Sequence, residues 1–196
     1  MAKASKPTPK EHVYLPRSRI VTSSHLVSVK YPEMSEVEFG LVIAGHAYSR
    51  WMVRCMAAAG VRDMAQVDVL ILHHVNHFNS EKRLADICFV LNIEDTHVVS
   101  YSLKKLATEK LVQCVKRGKE AFYSITSKGS QVCIRYHEIR EACLMSGLHG
   151  GNEERRILHD SAALLRELSG RFDLAARAAT STILSMPSQE EDTASI

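Results

Sequence analysis

Apolar positions along this chain fall mostly into helical rows, with alternating stretches only near the start and past the middle. Residues 1–12 are polar and basic, and residues 13–34 alternate Val, Tyr, Ile and Leu with Ser and Thr, which predicts a mobile tip and then an extended arm. From Ser35 or Glu36 the row Val37, Leu41, Ala44, Tyr48, Trp51 and Cys55 predicts a first helix, ended by Gly60. Asp63 followed by Gln66 reads as a capping box, so a second helix runs from Met64 to Phe78. Its predicted inner face is Val67, Leu70, Ile71, His74 and Phe78, with His73 and His77 along the edge. Glu81 to Leu91 predicts a short helix that turns Leu84, Ile87, Cys88 and Leu91 inward and breaks at Asn92-Ile93. Glu94 and Asp95 supply an acidic start for a helix opening at Thr96, THVVSYSLKKLATEK, with Val99, Leu103, Leu106 and the Lys110 stem on one side. LVQCVKRGKEAFYSIT then reads as strand Leu111 to Val115, a basic tip Lys116-Arg117-Gly118-Lys119, and strand Ala121 to Ile125. Thr126 can cap a helix bearing Val132, Tyr136, Ile139 and Cys143. A last helix from Asn152 spaces Leu158, Leu165, Phe172 and Ala179 seven apart, a heptad-like row that calls for a partner helix.

The fold class predicted is mainly α with a small β-hairpin wing. In domain terms this gives an N-terminal arm over 1–34, a helical dimerisation region over 35–80 and 126–186, a winged helix-turn-helix over 81–125, and an acidic, disordered tail over 187–196. Composition narrows the setting. With 45% hydrophobic and 24% charged residues among 196, the chain is of ordinary globular type. No apolar run is long enough to cross a bilayer and the first residues lack a secretory core, so a cytoplasmic location and no membrane partner are expected. The five cysteines are scattered singly without a C-x-x-C pair, which fits reduced, mostly buried thiols. A net charge of +3 is too small to identify a partner, so the placement of the basic residues has to decide.

One motif invites a metal. His73-His74-Val75-Asn76-His77 differs by one letter from H-E-x-x-H, in which two histidines one turn apart hold zinc. The position of the catalytic Glu is taken by His74, so metalloprotease chemistry lacks its base. A non-catalytic ion between His73 and His77 needs a third ligand, and spacing marks out none. The expectation is no metal and no cofactor, with packed histidines at the margin of a helix face.

Two short helices followed by a basic hairpin carry a clearer implication. A helix that reads the DNA major groove must present short polar and basic side chains from its first turns. Thr96, His97, Ser100, Tyr101, Lys104 and Lys105 recur there on the face away from the core. Lys82 and Arg83 before it, and Lys116, Arg117 and Lys119 after it, are placed to meet phosphates on either side. The alternative is that these are ordinary solvated lysines and an incidental hairpin.

The run from Leu84 to Gly129 resembles the core of the MarR family of bacterial transcription regulators. The anchors are Val99-Ser100, Leu103, Leu106, Lys110-Leu111-Val112 and Ile125-Thr126 through Gly129. The order of the flanking helices agrees, so the resemblance covers Glu36 to about Met186. The chain departs from the family in its wing, which lacks the usual D-x-R or D-R-R motif and offers Lys116, Arg117 and Lys119 instead. The segments YPEMSEVEF and FGLVIAGHAYSRWMVRCM are also similar to an alphaproteobacterial subgroup, the LdtR-type regulators. The resemblance implies a homodimer interlocked through its first and last helices, a pseudo-palindromic double-stranded DNA operator, and an aromatic or phenolic effector. By position His46, Tyr48, Trp51, Leu70 and His74 are candidates for the effector wall, with plain core packing as the alternative for each. Peroxide-sensing members of the family resemble a different arrangement, with a reactive Cys near the start of the first helix; here none precedes Cys55, and Arg54 points about 100° away from it. No enzymatic set is present in the sequence, which leaves a histidine-based metal protein and a winged-helix protein-interaction module as the competing readings.

Overall fold

Pro32 opens the first helix, α1 (Pro32–Ala58), in a computed structural model that describes residue 25 and residues 27–185. The tail predicted from Pro187 and most of the arm predicted over 1–34 lie outside these residues. The helix begins earlier than the predicted Ser35, because Pro at the first helical position gives up no needed N–H and has its φ preset. Tyr31 and Ser28 tie the approach down: the Tyr31 N–H donates to Ser28 Oγ at 3.0 Å and the Ser28 N–H to Ser35 Oγ at 3.1 Å. Only the C-terminal half of α1 enters the core of its unit, through Met52, Cys55 and Met56, while Tyr48 of the predicted apolar row stands exposed, as do Val42 and Ile43 outside that row.

The second helix, α2 (Gln66–Asn76), is shorter than predicted and is rotated about its axis. Asp63 sits at φ 60 and does not cap it; the Asp68 carboxylate does, accepting from the Ala65 N–H at 2.8 Å. Asp68, Val69, Ile71, Leu72 and Val75 are its buried residues, and Phe78 lies beyond the helix in a 3₁₀ turn, 84% exposed. Nearly every side of this helix carries aliphatic residues, so periodicity alone could not choose the inner one.

Lys82–Arg83, predicted as the start of a helix, instead form a short strand, β1, and α3 (Leu84–Leu91) follows. Asn92 takes the left-handed conformation at φ 52, and the Ile93 N–H bonds back to the Cys88 carbonyl at 2.9 Å, closing α3 for the sharp turn. Asp95 then caps α4 (Thr96–Thr108), its Oδ1 accepting from the His97 N–H at 2.8 Å. The hairpin consists of β2 (Val112–Arg117) and β3 (Glu120–Ile125), and the antiparallel sheet has the order β1-β3-β2. Arg117 pairs with Glu120, so the tip is only Gly118-Lys119, with Gly118 at φ 61, and Lys116 and Arg117 belong to a strand.

Thr126 caps α5 (Ser127–Cys143) as predicted: its Oγ1 accepts from the Gly129 N–H at 3.0 Å and donates to the Leu111 carbonyl at 3.0 Å. Met56, Ile71, Leu72, Ile87, Leu103, Leu106 and Leu111 are fully buried in one core, each worth about 1.5–3 kcal/mol of transfer free energy. That core joins α2 to α3 and α4 and also to α1, through Met52, Cys55 and Met56, and to α5, through Val132, Cys133 and Tyr136. The chain divides into two compact units, 1–141 and 142–196. The second contains α6 (Asn152–Ser185), on which Leu158, Leu165 and Phe172, seven apart, are all exposed. No helix among the described residues is long and apolar enough to cross a membrane.

Candidate nucleic-acid interface and effector cleft

Burial of Val99, Leu103 and Leu106 fixes which side of α4 faces out. Thr96, His97, Tyr101 and Lys104 are exposed and Ser100 is half-buried beside them, on the side of α4 away from the core. Tyr101 is 72% exposed, a large amphipathic side chain that nothing in the described chain covers. Lys104 of α4, Lys116 of β2 and Lys119 of the tip extend ammonium groups with no carboxylate in ion-pair range among the described residues.

The remaining predicted phosphate contacts are engaged within the chain. Arg83 pairs with Asp86 at 3.1 Å and Glu120 at 3.6 Å, and this guanidinium holds the Asp86 carboxyl below its ordinary range. Arg117 grips Glu81 and lies over the Phe122 ring at 5.0 Å. Lys82 donates to Ser80 Oγ. Lys105 is turned away from the reading face: its Nζ is 2.7 Å from Asp68 Oδ2 and 2.5 Å from the Asp63 carbonyl oxygen. The predicted basic set therefore splits into three free lysines and four cations already bound.

A cleft of about 550 Å³ opens between α1, α2 and α5. Tyr48, Trp51 and Leu70 line it, as predicted. His46 is exposed on α1 but lies outside the cleft, and His74, half-buried on α2, is also outside it. Rotation of α2 brings His73 into the wall in place of His74, with its ring 4.5 Å from that of Tyr136 in an edge-on contact. His73 Nε2 is buried without a hydrogen-bond partner. Burial pushes its pKa down and pushes the Tyr136 hydroxyl up to about 12 and the Cys133 thiol up to about 11, so all three are neutral near pH 7. Arg140 and His137 add polar groups from α5. Sequence reasoning missed these α5 residues, although Cys133, His137 and Arg140 at three- and four-residue steps form a row that a search for a second cleft wall would have found.

The two histidines weighed as ion ligands, His73 and His77, turn to different partners. His73 meets Tyr136 while His77 packs on Phe78 at 3.9 Å, and among the described residues no three His, Cys, Asp or Glu side chains gather as an ion site. Cys55 is buried and its thiol donates to the Tyr136 carbonyl at 3.5 Å, far from the exposed, thiolate-prone setting a redox sensor uses.

A family profile described as a winged helix DNA-binding domain matches residues 64–129, beginning with α2 and ending at the first turn of α5. A search of curated protein sequences finds no match. Solved structures share the fold. The transcriptional regulator BldR from Sulfolobus solfataricus superposes with a TM-score of 0.57 at 14% identity, covering 71% of this chain and 99% of its own. AbfR of Staphylococcus epidermidis gives 0.56 at 14% identity, covering 73% and 99%. A MarR-family transcriptional regulator from Rhodococcus sp. RHA1 gives 0.51 at 10% identity, covering 66% and 91%.

Proposed function

We infer that this chain, a winged-helix protein with the fold of the MarR-type regulators, is a homodimeric transcriptional regulator that reads double-stranded DNA and answers to a small aromatic or phenolic effector. The observation that carries the reading is the outward face of α4, where Thr96, His97, Ser100, Tyr101 and Lys104 follow one another along the first turns beside a lysine-bearing hairpin. In such a module the helix lies in the major groove and the hairpin braces against the backbone. Lys104, Lys116 and Lys119 supply the phosphate contacts.

Two apolar surfaces support a dimer. Leu158, Leu165 and Phe172 on α6 are exposed along one seven-residue row, and Val42, Ile43 and Tyr48 are exposed at different points around α1; a second copy of the chain would cover such apolar groups. Two reading helices related by a two-fold axis then fit half-sites about one DNA turn apart. The cleft is the effector site: Trp51, Leu70 and Met52 offer an apolar bed, and His73, Asn76 and Arg140 offer groups that orient a polar substituent.

Binding of the purified protein to a duplex enriched from a random pool, and to a scrambled form of it, tests the DNA reading. The expected result is at least about a hundredfold preference for the enriched duplex at near-physiological salt, and equal weak binding to both overturns the reading. Trp51 is the only tryptophan in the sequence, so its fluorescence reports occupancy of the cleft by a phenolic probe such as salicylate. An exposed Phe78 and an 87% exposed Phe89 favour one competing reading, a winged helix that docks on another protein; loss of DNA preference in the first test turns attention to it.

A further inference from the structure

Lys104 and Lys105 are neighbours on α4, and spacing alone makes both of them DNA contacts. Their environments separate them. Lys104 is exposed, whereas the Lys105 ammonium lies between Asp68 Oδ2 at 2.7 Å and the Asp63 carbonyl oxygen at 2.5 Å. Asp68 is 2% exposed and carries a second bond, accepting from the Ala65 N–H at 2.8 Å. One carboxylate thus caps α2 and anchors α4, and the left-handed turn at Asp63 presents the second oxygen.

We propose that Lys105 is a positioning residue for DNA reading: through its ion pair with Asp68 it sets where α4 sits and how it is rotated on α2, and it does not neutralise a phosphate. This rests on the DNA-reading role given to α4 above. The physical argument is the asymmetry of burial. An exposed pair such as Arg117 with Glu81 exchanges its carboxylate for a phosphate at little cost. Drawing Lys105 to a phosphate would leave a buried carboxylate without its counter-charge, which is strongly unfavourable. The pair also joins α4 to the helix that lines the cleft through Leu70, His73 and Asn76.

The two roles predict opposite signs for one substitution. If Lys105 contacts phosphate, D68N releases it and tightens DNA binding; if Lys105 positions α4, D68N weakens recognition. We expect D68N and K105M each to lower affinity for the enriched duplex by about tenfold or more and to leave binding of the scrambled duplex within about twofold, because phosphate contacts remain. The salt slope stays at the wild-type value in both, whereas K104A reduces it by about 0.9. The double variant is no worse than either single one, as expected for two partners in one interaction. K105R, which keeps the pair, retains the preference. D68N is isosteric, and because Asp68 Oδ2 meets both the Ala65 N–H and Lys105, an amide oxygen in its place keeps the cap and removes only the counter-charge, so the variant tests the ion pair even if K105M lowers the folded fraction seen by circular dichroism. Tighter binding by D68N, or a reduced salt slope in K105M with equal losses on both duplexes, overturns the proposal. A wild-type protein without preference overturns instead the DNA-reading role on which it stands.

Discussion

Arg117 holds Glu81 in a two-pronged ion pair, Nη1 to Oε2 at 2.7 Å and Nη2 to Oε1 at 2.8 Å. The pair straps the end of β2 to the residue just before β1 and removes one cation from the wing. Both side chains are substantially exposed, so the pair is worth at most about 1 kcal/mol. E81Q is expected to free Arg117 for the DNA backbone, tightening binding a few-fold and steepening the salt slope by up to about 0.9. Titrations of the variant and the wild type at several salt concentrations check this, and unchanged affinity and slope would show that Arg117 does not reach the duplex.

Acid should loosen the first unit. His73 is pushed below the ordinary imidazole value of 6.5 by burial, and His74 by burial first and then by Lys82 and His77. A folded-state pKa below the unfolded one favours the neutral ring. That stability is complete above about pH 6.5 and is lost as pH falls through the folded-state values. Melting temperatures are expected to be level between about pH 8 and 7 and to decline below about 6.5, and H73F should flatten the decline. An H73F protein with the same acid sensitivity as the wild type would assign the effect to other groups.

Gly129 admits no side chain. A Cβ built there overlaps the Leu111 carbonyl and the Ile125 methyl, where the start of α5 closes on the start of the hairpin. G129A should cost about 1–3 kcal/mol from overpacking, seen as a lower denaturant midpoint with an unchanged slope. Unaltered stability would mean that the hairpin and α5 separate easily.

The exposed row on α6 makes its own prediction. Leu165, 49% exposed, lies mid-row, and L165R places a charge where a second chain would press. Light scattering after size exclusion should show the mass of a single chain, with helical content retained. A dimer that survives L165R would place the contact elsewhere.

Local patterns were the legible part of this protein. Asp95 before α4, Thr126 before α5, the alternation of the hairpin and the outward row on α4 are each set by neighbours within a few residues, and each stands in the structure as its spacing predicts. The rotation of α2 was not legible, because aliphatic residues nearly all round left burial to be decided by α4 and α1. Nor were the ion pairs that remove Lys105 and Arg117 from the basic face. Their partners lie 37 and 36 residues away, and a pairing of that span leaves no periodic trace. The same limit explains why spacing points to Tyr48, Trp51 and Leu70, which line the cleft, but to His74 where His73 stands: the two histidines differ by one residue of helical phase.

The two-residue strand β1 has a kinetic side. Lys82 and Arg83 pair only with Tyr123 and Phe122, some forty positions downstream, with α3, α4 and β2 all inside the loop they close. The three-stranded sheet thus closes across the whole of α3, α4 and β2. Closing so long a loop carries an entropic cost that a pairing this short does little to offset, which makes β1 a late event in folding and an early one in local opening. Amide hydrogen exchange along β3 should therefore run at two speeds, faster on the edge that faces β1 and slower on the edge that faces β2.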